Sequence, residues 1–138
     1  MRTRSLVVLV IAGLSLLGWQ AANAELIITE IMYHPESDGD LDWIEIYNTG
    51  DSDVDLSGYV LDDEGGDPLT EANISSGVVP AHGTAVLFND EDFDLADYRN
   101  AWEKPVNPVI NFVAVGAWQK LGNGGDRIGL WDGMASYA

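Results

Sequence analysis

The sequence predicts an all-β protein, an antiparallel β-sandwich with one short helix. Short apolar runs rich in Ile, Val, Tyr, Trp and Thr recur along the chain, and these branched or flat side chains suit a pleated strand better than a helix. Clusters of Gly, Pro, Asn, Asp and Ser separate the runs, and turn signals at intervals of roughly 8–12 residues are typical of sandwiches. A doubly wound α/β fold would need several long helices, which the pattern does not predict.

Residues 26–62 predict the first three strands, which two polar turns separate. In the first strand, strict alternation would place Glu30 on the same face as Ile28. In the second strand, Ile44 and Ile46 alternate with polar and aromatic residues. We therefore expect both isoleucines to face the core, with Trp43 and Tyr47 on the outer face around Glu45. The third strand is interrupted by a Ser-Gly pair, which predicts a break. The three strands are predicted at Leu26–Met32, Asp42–Asn48 and Val54–Asp62.

The second half of the chain predicts shorter elements joined by loops. Residues 63–76 show no apolar period and predict an irregular loop, whereas the fully apolar run 85–88 predicts a central strand. Acidic residues begin the segment 90–99 and Arg99 ends it. This favours one or two helical turns, because acids suit a helix N-terminus and bases its C-terminus. Residues 78–83 predict a short apolar piece followed by a turn, and further extended segments are predicted at residues 109–115 and 127–131.

The first 24 residues predict a cleavable signal peptide, a helix that precedes the domain. Arg2 and Arg4 form a positive start, residues 6–17 form an apolar run, and Ala22-Asn23-Ala24 has the small-x-small pattern of a cleavage site. A retained membrane anchor is the alternative. However, the apolar run is shorter than the roughly 20 residues that span a bilayer, and no basic stop-transfer cluster follows it. We therefore expect a mature domain of residues 25–138, secreted or held at the cell surface.

The chain is strongly acidic, with a formal net charge of −17. Loss of the two signal-segment arginines from the six basic residues leaves 4 against 23 acidic ones, or −19. Such a surface repels phosphate backbones and anionic lipids. We expect no direct nucleic-acid binding, and membrane contact only through the signal segment during export. Solubility in salty surroundings, divalent-cation binding or a basic partner would each explain the acidity.

Cysteine is absent from the chain. This excludes disulfides, cysteine nucleophiles and thiolate metal sites. An exported protein without disulfides is more typical of bacteria than of the small disulfide-stapled domains of eukaryotes.

Six motifs in order resemble the lamin-tail domain (LTD) family, in its exported bacterial type. They are ITEIMYHP, DWIEIYN, DLSGYVL, VPAHG with AVLF, a short helical piece from Phe93 to Tyr98, and LGNGGDRIGLWD. The resemblance covers residues 26–132 and implies an immunoglobulin-like β-sandwich without catalytic activity. It also implies a closing strand after Trp131, where only residues 132–138 follow. We expect a domain truncated before that strand, which would leave an unpaired edge; the alternative is a sandwich that closes short.

No residue pattern in the sequence predicts catalysis. The two histidines, His34 and His82, lie at turns beside proline or glycine, without a nucleophile motif or a paired-histidine metal motif. Glu30 and Glu45 lie on adjacent predicted strands, and such a carboxylate pair can hydrolyse glycosides. We expect both to be structural, because the family that the chain resembles is not an enzyme family. The protein is therefore predicted not to be an enzyme.

Two acidic turns are calcium candidates. Carboxylates alternate along residues 38–42 and 51–55, and hard oxygen ligands suit Ca²⁺. Neither turn is an EF-hand, because Trp43 and Leu56 occupy the position where that motif has glycine. Solvated acidic turns without a metal are the alternative. The candidate calcium ligands are Asp38, Asp40, Asp42, Asp51 and Asp53, and no other cofactor is predicted.

Two functions fit these features. The first is an exported, non-catalytic lamin-tail module that acts at the cell surface or outside as an interaction or structural domain. Its partner would be an unidentified protein or cell-surface component, and its acidic turns at 36–42 and 63–76 are the predicted contact regions. The alternative is an accessory domain of a larger secreted hydrolase, a nuclease, phosphatase or peptidase, whose catalytic part lies outside this chain.

Overall fold

A computed structural model describes residues 26–33, 41–63, 68–103, 109–118, 121 and 127–137. The predicted signal segment, residues 1–24, lies outside the described residues. Within them the chain forms eight strands and two helices. The strands are β1 (Leu26–Met32), β2 (Trp43–Asn48), β3 (Val54–Asp55), β4 (Val60–Asp62), β5 (Val78–Val79), β6 (Thr84–Asn89), β7 (Phe112–Val115) and β8 (Gly129–Trp131). The helices are α1 (Leu95–Trp102) and α2 (Met134–Tyr137).

The larger layer is a four-stranded sheet with the order β1-β2-β6-β7. Strands β1, β2 and β6 pair antiparallel, and β6 lies inside the sheet as its apolar run predicted. Strand β7, in contrast, pairs parallel with β6. The prediction of a purely antiparallel sandwich is wrong at this one pair. The physical reason is that a parallel neighbour needs a crossover connection, and the segment that contains α1 supplies it.

The second layer is built from two short ladders, β3 with β5 and β4 with β8. The predicted third strand is therefore two strands, and the predicted break at its Ser-Gly pair is confirmed by a turn in which Gly58 has a φ of 88°. Asn73 lies in the loop before β5, and its side chain bonds the backbone of β4 in the way that a neighbouring strand would. Its side-chain oxygen accepts from the Leu61 N–H at 2.9 Å, and its amide donates to the Leu61 carbonyl at 2.8 Å.

The core lies between the two layers. Ile44 and Ile46 are fully buried, as their alternation predicted. They share one apolar cluster with Leu56 and Val79 of the second layer and with Ile74 of the intervening loop. Burying such side chains on both inner faces is what holds two sheets together. The predicted immunoglobulin-like β-sandwich is confirmed.

Strand β1 departs from strict alternation. Ile28 pairs with Ile46, but the next pair joins Glu30 to Glu45, so a β-bulge lies between Ile28 and Glu30. A bulge places two residues opposite one and reverses the side that the following residues face. The expectation that Glu30 shares a face with Ile28 is therefore wrong, because Ile28 packs against the core and Glu30 pairs with Glu45.

Helix α1 begins at Leu95, later than the start of the predicted segment at residue 90, because the acidic residue Asp94 is its N-cap. The Asp94 carboxylate accepts from the Asp97 N–H at 3.0 Å, and the Asp97 carboxylate accepts from the Asp94 N–H at 3.0 Å. This reciprocal capping box satisfies two N–H groups and starts the helix at Leu95. Neither helix in the described part of the chain has the length and apolar character that crossing a bilayer requires.

A buried tyrosine attaches α1 to the main sheet. Tyr98 is the buried residue of the helix, and it packs with Leu41 and Phe88 in a second apolar cluster. Its hydroxyl donates to the Asp42 carbonyl at 2.8 Å and accepts from the Asn89 N–H at 3.3 Å. The helix is thereby held over one end of the sheet's outer face, the face directed away from the second layer.

Candidate functional site

The predicted calcium ligands are not brought together among the described residues. Asp38 and Asp40 lie outside them, and Asp42 is buried with 6% exposure. The Asp51 carboxylate lies 2.8 Å from Nε2 of His82, and the Asp53 carboxylate accepts from the Ala81 N–H at 2.9 Å. Across the residues that the structure describes, no three His, Asp or Glu side chains are placed to hold a metal ion. Calcium binding by these turns stays a prediction.

The turn after β2 is organised around a buried amide rather than around its acids. Asn48 is fully buried, and its amide donates to the carbonyls of Ser52 at 2.8 Å, Val79 at 3.2 Å and Pro80 at 3.2 Å. Its side-chain oxygen accepts from the Gly50 N–H at 2.9 Å. Asn48 thus ties the acidic turn to the end of β5, and the carboxylates are left on the outside of the turn.

The acid that ends this turn forms its own local contacts. The Asp55 carboxylate accepts from the Ser57 hydroxyl at 2.6 Å and from the Ser57 N–H at 2.9 Å. These two hydrogen bonds hold the pKa of Asp55 below its ordinary value, with the hydroxyl contributing most. The carboxylate stabilises the turn between β3 and β4.

Glu30 and Glu45, the sequence candidates for a carboxylate pair, lie directly opposite each other on β1 and β2. Oε1 of Glu45 accepts from the Thr29 hydroxyl at 2.7 Å. Like charges directly opposite each other in a sheet are unfavourable. This hydrogen bond from the bulge offsets part of that cost by stabilising the Glu45 carboxylate.

The histidines give no catalytic arrangement in the described residues. His34 lies outside them. His82 is exposed at a turn, in the left-handed region with a φ of 52°, and contacts Asp51. An exposed side-chain contact of this kind contributes little to stability.

A groove opens on the outer face of the main sheet, beside the part that α1 covers. Its volume is about 350 Å³. Cross-strand neighbours form its floor, because Glu45 pairs with Val86 and Val86 pairs with Phe112. Trp43 and Thr84 border this row. The floor therefore combines one half-buried carboxylate with apolar and aromatic surface.

The wall of the groove comes from the end of α1 and from the segment that leads into β7. Trp102 stands edge-on to Trp43, with ring centroids 5.7 Å apart. Glu103 holds the two parts of the wall together: one carboxylate oxygen accepts from the Ile110 N–H at 3.1 Å and the other from the Arg99 guanidinium at 3.3 Å. The Asn111 amide then attaches the segment to the sheet.

Asn111 is fully engaged as a donor. Its amide nitrogen donates to the Val78 carbonyl at 2.9 Å and to the Thr84 carbonyl at 3.2 Å. In contrast, the indole N–H groups of Trp43 and Trp102 are buried and have no hydrogen-bond partner in the described structure. Because both N–H groups are buried, the two indoles present mainly apolar ring surface to the groove.

A family model described as Lamin Tail Domain matches residues 20–136. The chain belongs to the lamin tail domain family. The resemblance to this family inferred from the six motifs is thereby confirmed, and the exported bacterial type stays a prediction. The family is one of non-catalytic immunoglobulin-like modules, which is compatible with a protein that is not an enzyme. Comparison with the curated proteins and with the solved structures found no match.

Every residue of the groove lies inside the span that matches the lamin-tail model. Sequence reasoning placed Trp43 beside Glu45 on the outer face but missed Trp102 and residues 109–111. One signal could have found Trp102: it lies four residues after Tyr98, on the same side of α1. Residues 109–111 carried no such periodic signal. Their position depends on Glu103 and Asn111 contacts that only the folded lamin-tail domain makes.

Proposed function

We propose that this lamin-tail protein is exported and acts at the cell surface or outside as a non-catalytic interaction or structural module. Export is supported by the N-terminal sequence, in which a basic start, an apolar run and a small-x-small site follow one another. The modular role is supported by membership of a family of non-catalytic immunoglobulin-like sandwiches.

One observation carries the interaction role: the sandwich leaves a groove with aromatic walls open on its outer face. An antiparallel sheet that faces water on one side is commonly polar on that side. Concave sites lined by aromatic side chains with a few polar groups are instead typical of ligand binding. Among the described acidic residues, in contrast, Glu45 accepts a hydrogen bond from the bulge residue Thr29 and Asp55 accepts one from the turn residue Ser57.

Export is tested by expressing the full chain in a bacterial host and determining the N-terminus of the protein outside the cytoplasm. The expected mature protein begins at Glu25. A matched variant, Ala24→Arg, removes the small residue of the cleavage site and should accumulate unprocessed. Protein that stays in the cytoplasm and begins at Met1 would contradict export.

The non-catalytic role is tested by assaying the mature protein on nucleic acid, phosphoester and glycan substrates. No turnover is expected. Turnover that Glu45→Gln abolishes would overturn the proposal and identify the outer-face carboxylate as catalytic. The interaction role is tested separately: surface cross-linking on intact cells that express the protein should place the wild-type protein in a complex larger than the single chain.

A further inference from the structure

We propose that the outer-face groove binds a lysine or arginine side chain of a basic peptide, with Glu45 as its counter-charge. The inference rests on the proposed interaction function and names the chemistry of the partner. A cationic peptide is the expected partner, because the groove combines apolar walls with one carboxylate and lies on a strongly acidic chain.

The shape of the groove fits one long side chain. Its volume of about 350 Å³ is small for a ligand site, since such sites span roughly 300–1,000 Å³. The rings of Trp43, Trp102 and Phe112 line it. Lysine and arginine carry apolar stems that pack on such surfaces while their charged ends reach a polar group. Their cations are also attracted to the faces of aromatic rings.

The charge of the groove favours a cation. Glu45 is half-buried at the floor, and Glu30 lies directly opposite it on the neighbouring strand. A cation seated at Glu45 would relieve the repulsion between these two carboxylates. The chain's net charge of −17 acts in the same direction over a longer range, because it raises the local concentration of positively charged partners and speeds their association.

The hydrogen-bonding groups favour a peptide over an uncharged sugar. Sugar hydroxyls need several donors and acceptors around them, but the Asn111 amide is already committed to two backbone carbonyls. The Thr29 hydroxyl is likewise committed to Glu45. The indole N–H groups of Trp43 and Trp102 are buried, so these side chains offer aromatic surface rather than hydrogen-bond donors, which suits the apolar stem of a lysine or arginine better than a sugar hydroxyl.

The test is a titration of the purified ¹⁵N-labelled protein, followed by NMR, with three capped peptides of equal length. One alternates glycine with lysine, one glycine with glutamine and one glycine with glutamate; a neutral tetrasaccharide is the fourth probe. The lysine peptide should shift the indole N–H signals of Trp43 and Trp102, and its affinity should fall as salt is added. The glutamine and glutamate peptides should leave both signals in place.

Two matched variants separate a site from general attraction to an acidic surface. Glu45→Gln keeps an oxygen that can accept from Thr29, so the bulge is preserved, and it should weaken binding of the lysine peptide at least fivefold. Glu71→Gln removes the same charge from an exposed position of the other layer's loop and should weaken binding less than twofold. Retained signal dispersion in both variants shows that each is folded.

Three results would overturn the inference. The first is a lysine peptide that leaves both indole signals unmoved, and the second is equal weakening by the two variants. The third is a tetrasaccharide that moves these signals when the lysine peptide does not, which would make the groove a glycan site. Failure of this inference and failure of the proposed function can be told apart. Failed export or measured turnover would remove the proposed function and leave the titration result unchanged. An exported, inactive protein whose indole signals do not respond to the lysine peptide would lose only this inference.

Discussion

Replacing Tyr98 with phenylalanine removes one oxygen atom from the junction between α1 and the main sheet. The Tyr98 hydroxyl is buried, donates to the Asp42 carbonyl at 2.8 Å and accepts from the Asn89 N–H at 3.3 Å. The ring stays and keeps its contact with Phe88, whose centroid is 4.8 Å away, so no cavity forms. A buried group that loses its partner costs about 1–3 kcal/mol. Most of this cost comes from the shorter hydrogen bond, which Tyr98 donates to the Asp42 carbonyl. We therefore expect the free energy of unfolding to fall by about 2 kcal/mol.

The assay is urea unfolding followed by tryptophan fluorescence, with the change in stability taken from the midpoint at constant slope. A loss of about 2 kcal/mol corresponds to a roughly 30-fold rise in the unfolding equilibrium constant. The control is Tyr33→Phe, because Tyr33 is 56% exposed. This control should stay within about 0.5 kcal/mol of wild type. Equal stability of Tyr98→Phe and Tyr33→Phe would refute the reasoning.

The same tyrosine predicts a loss of stability in alkali. Burial raises the pKa of Tyr98 well above its ordinary value. In the unfolded chain Tyr98 ionises near pH 10, but in the folded chain it stays protonated. The stability that the protonated Tyr98 contributes to the folded state is therefore complete below about pH 10, and it is lost progressively as the pH rises above that value. Unfolding measured at about pH 9 and pH 11 should show a steeper loss for wild type than for Tyr98→Phe, and parallel curves would refute this assignment.

Three further predictions concern the turns and the helix. Asn48→Asp places a buried carboxylate against three carbonyl oxygens and should lower the free energy of unfolding by more than about 3 kcal/mol. The control, Asn100→Asp, changes an exposed residue and should have little effect. A wild-type melting temperature for Asn48→Asp would contradict this prediction. Asp94→Ala removes the capping box and should lower the free energy of unfolding, measured in urea, by about 1 kcal/mol. Ala96→Gly, at an exposed position of the same helix, is the control that separates loss of the cap from loss of helix propensity. If the acidic turns bind calcium with a Kd of about 1 mM, about 10 mM calcium should stabilise the protein by about 1.4 kcal/mol and raise its melting temperature by about 6 °C. An unchanged melting temperature, or an equal shift with magnesium, removes the specific site.

Local pattern was sufficient wherever one strand or one turn decides the outcome. The alternation around Ile44 and Ile46 reports which side of β2 is buried, because successive side chains point to opposite faces. The Ser57-Gly58 pair marks a turn that any sheet arrangement would have to accommodate, since its glycine adopts a positive φ. Such features depend on neighbouring residues alone, so the order and approximate limits of the strands could be read without the fold.

The bulge in β1 could not be read in this way. Nothing in the residues around Thr29 distinguishes a bulged strand from a regular one, and the bulge exists because of its pairing with β2. That pairing turned Glu30 to the side of Glu45 and so produced the two adjacent carboxylates. The parallel pairing of β7 depends in the same way on where α1 packs, which Tyr98 determines through contacts with Asp42 and Asn89.

The sequence by itself determined the sandwich class, the family and the acidic character, because composition, periodicity and ordered motifs are properties of the chain. Only the tertiary structure decided the groove, since its floor and wall join Trp43, Val86, Trp102 and Phe112 from three strands and a helix. Strand alternation predicted that Glu45 faces outward. That it lies between a second carboxylate and an aromatic wall follows from long-range pairing, which no local pattern encodes.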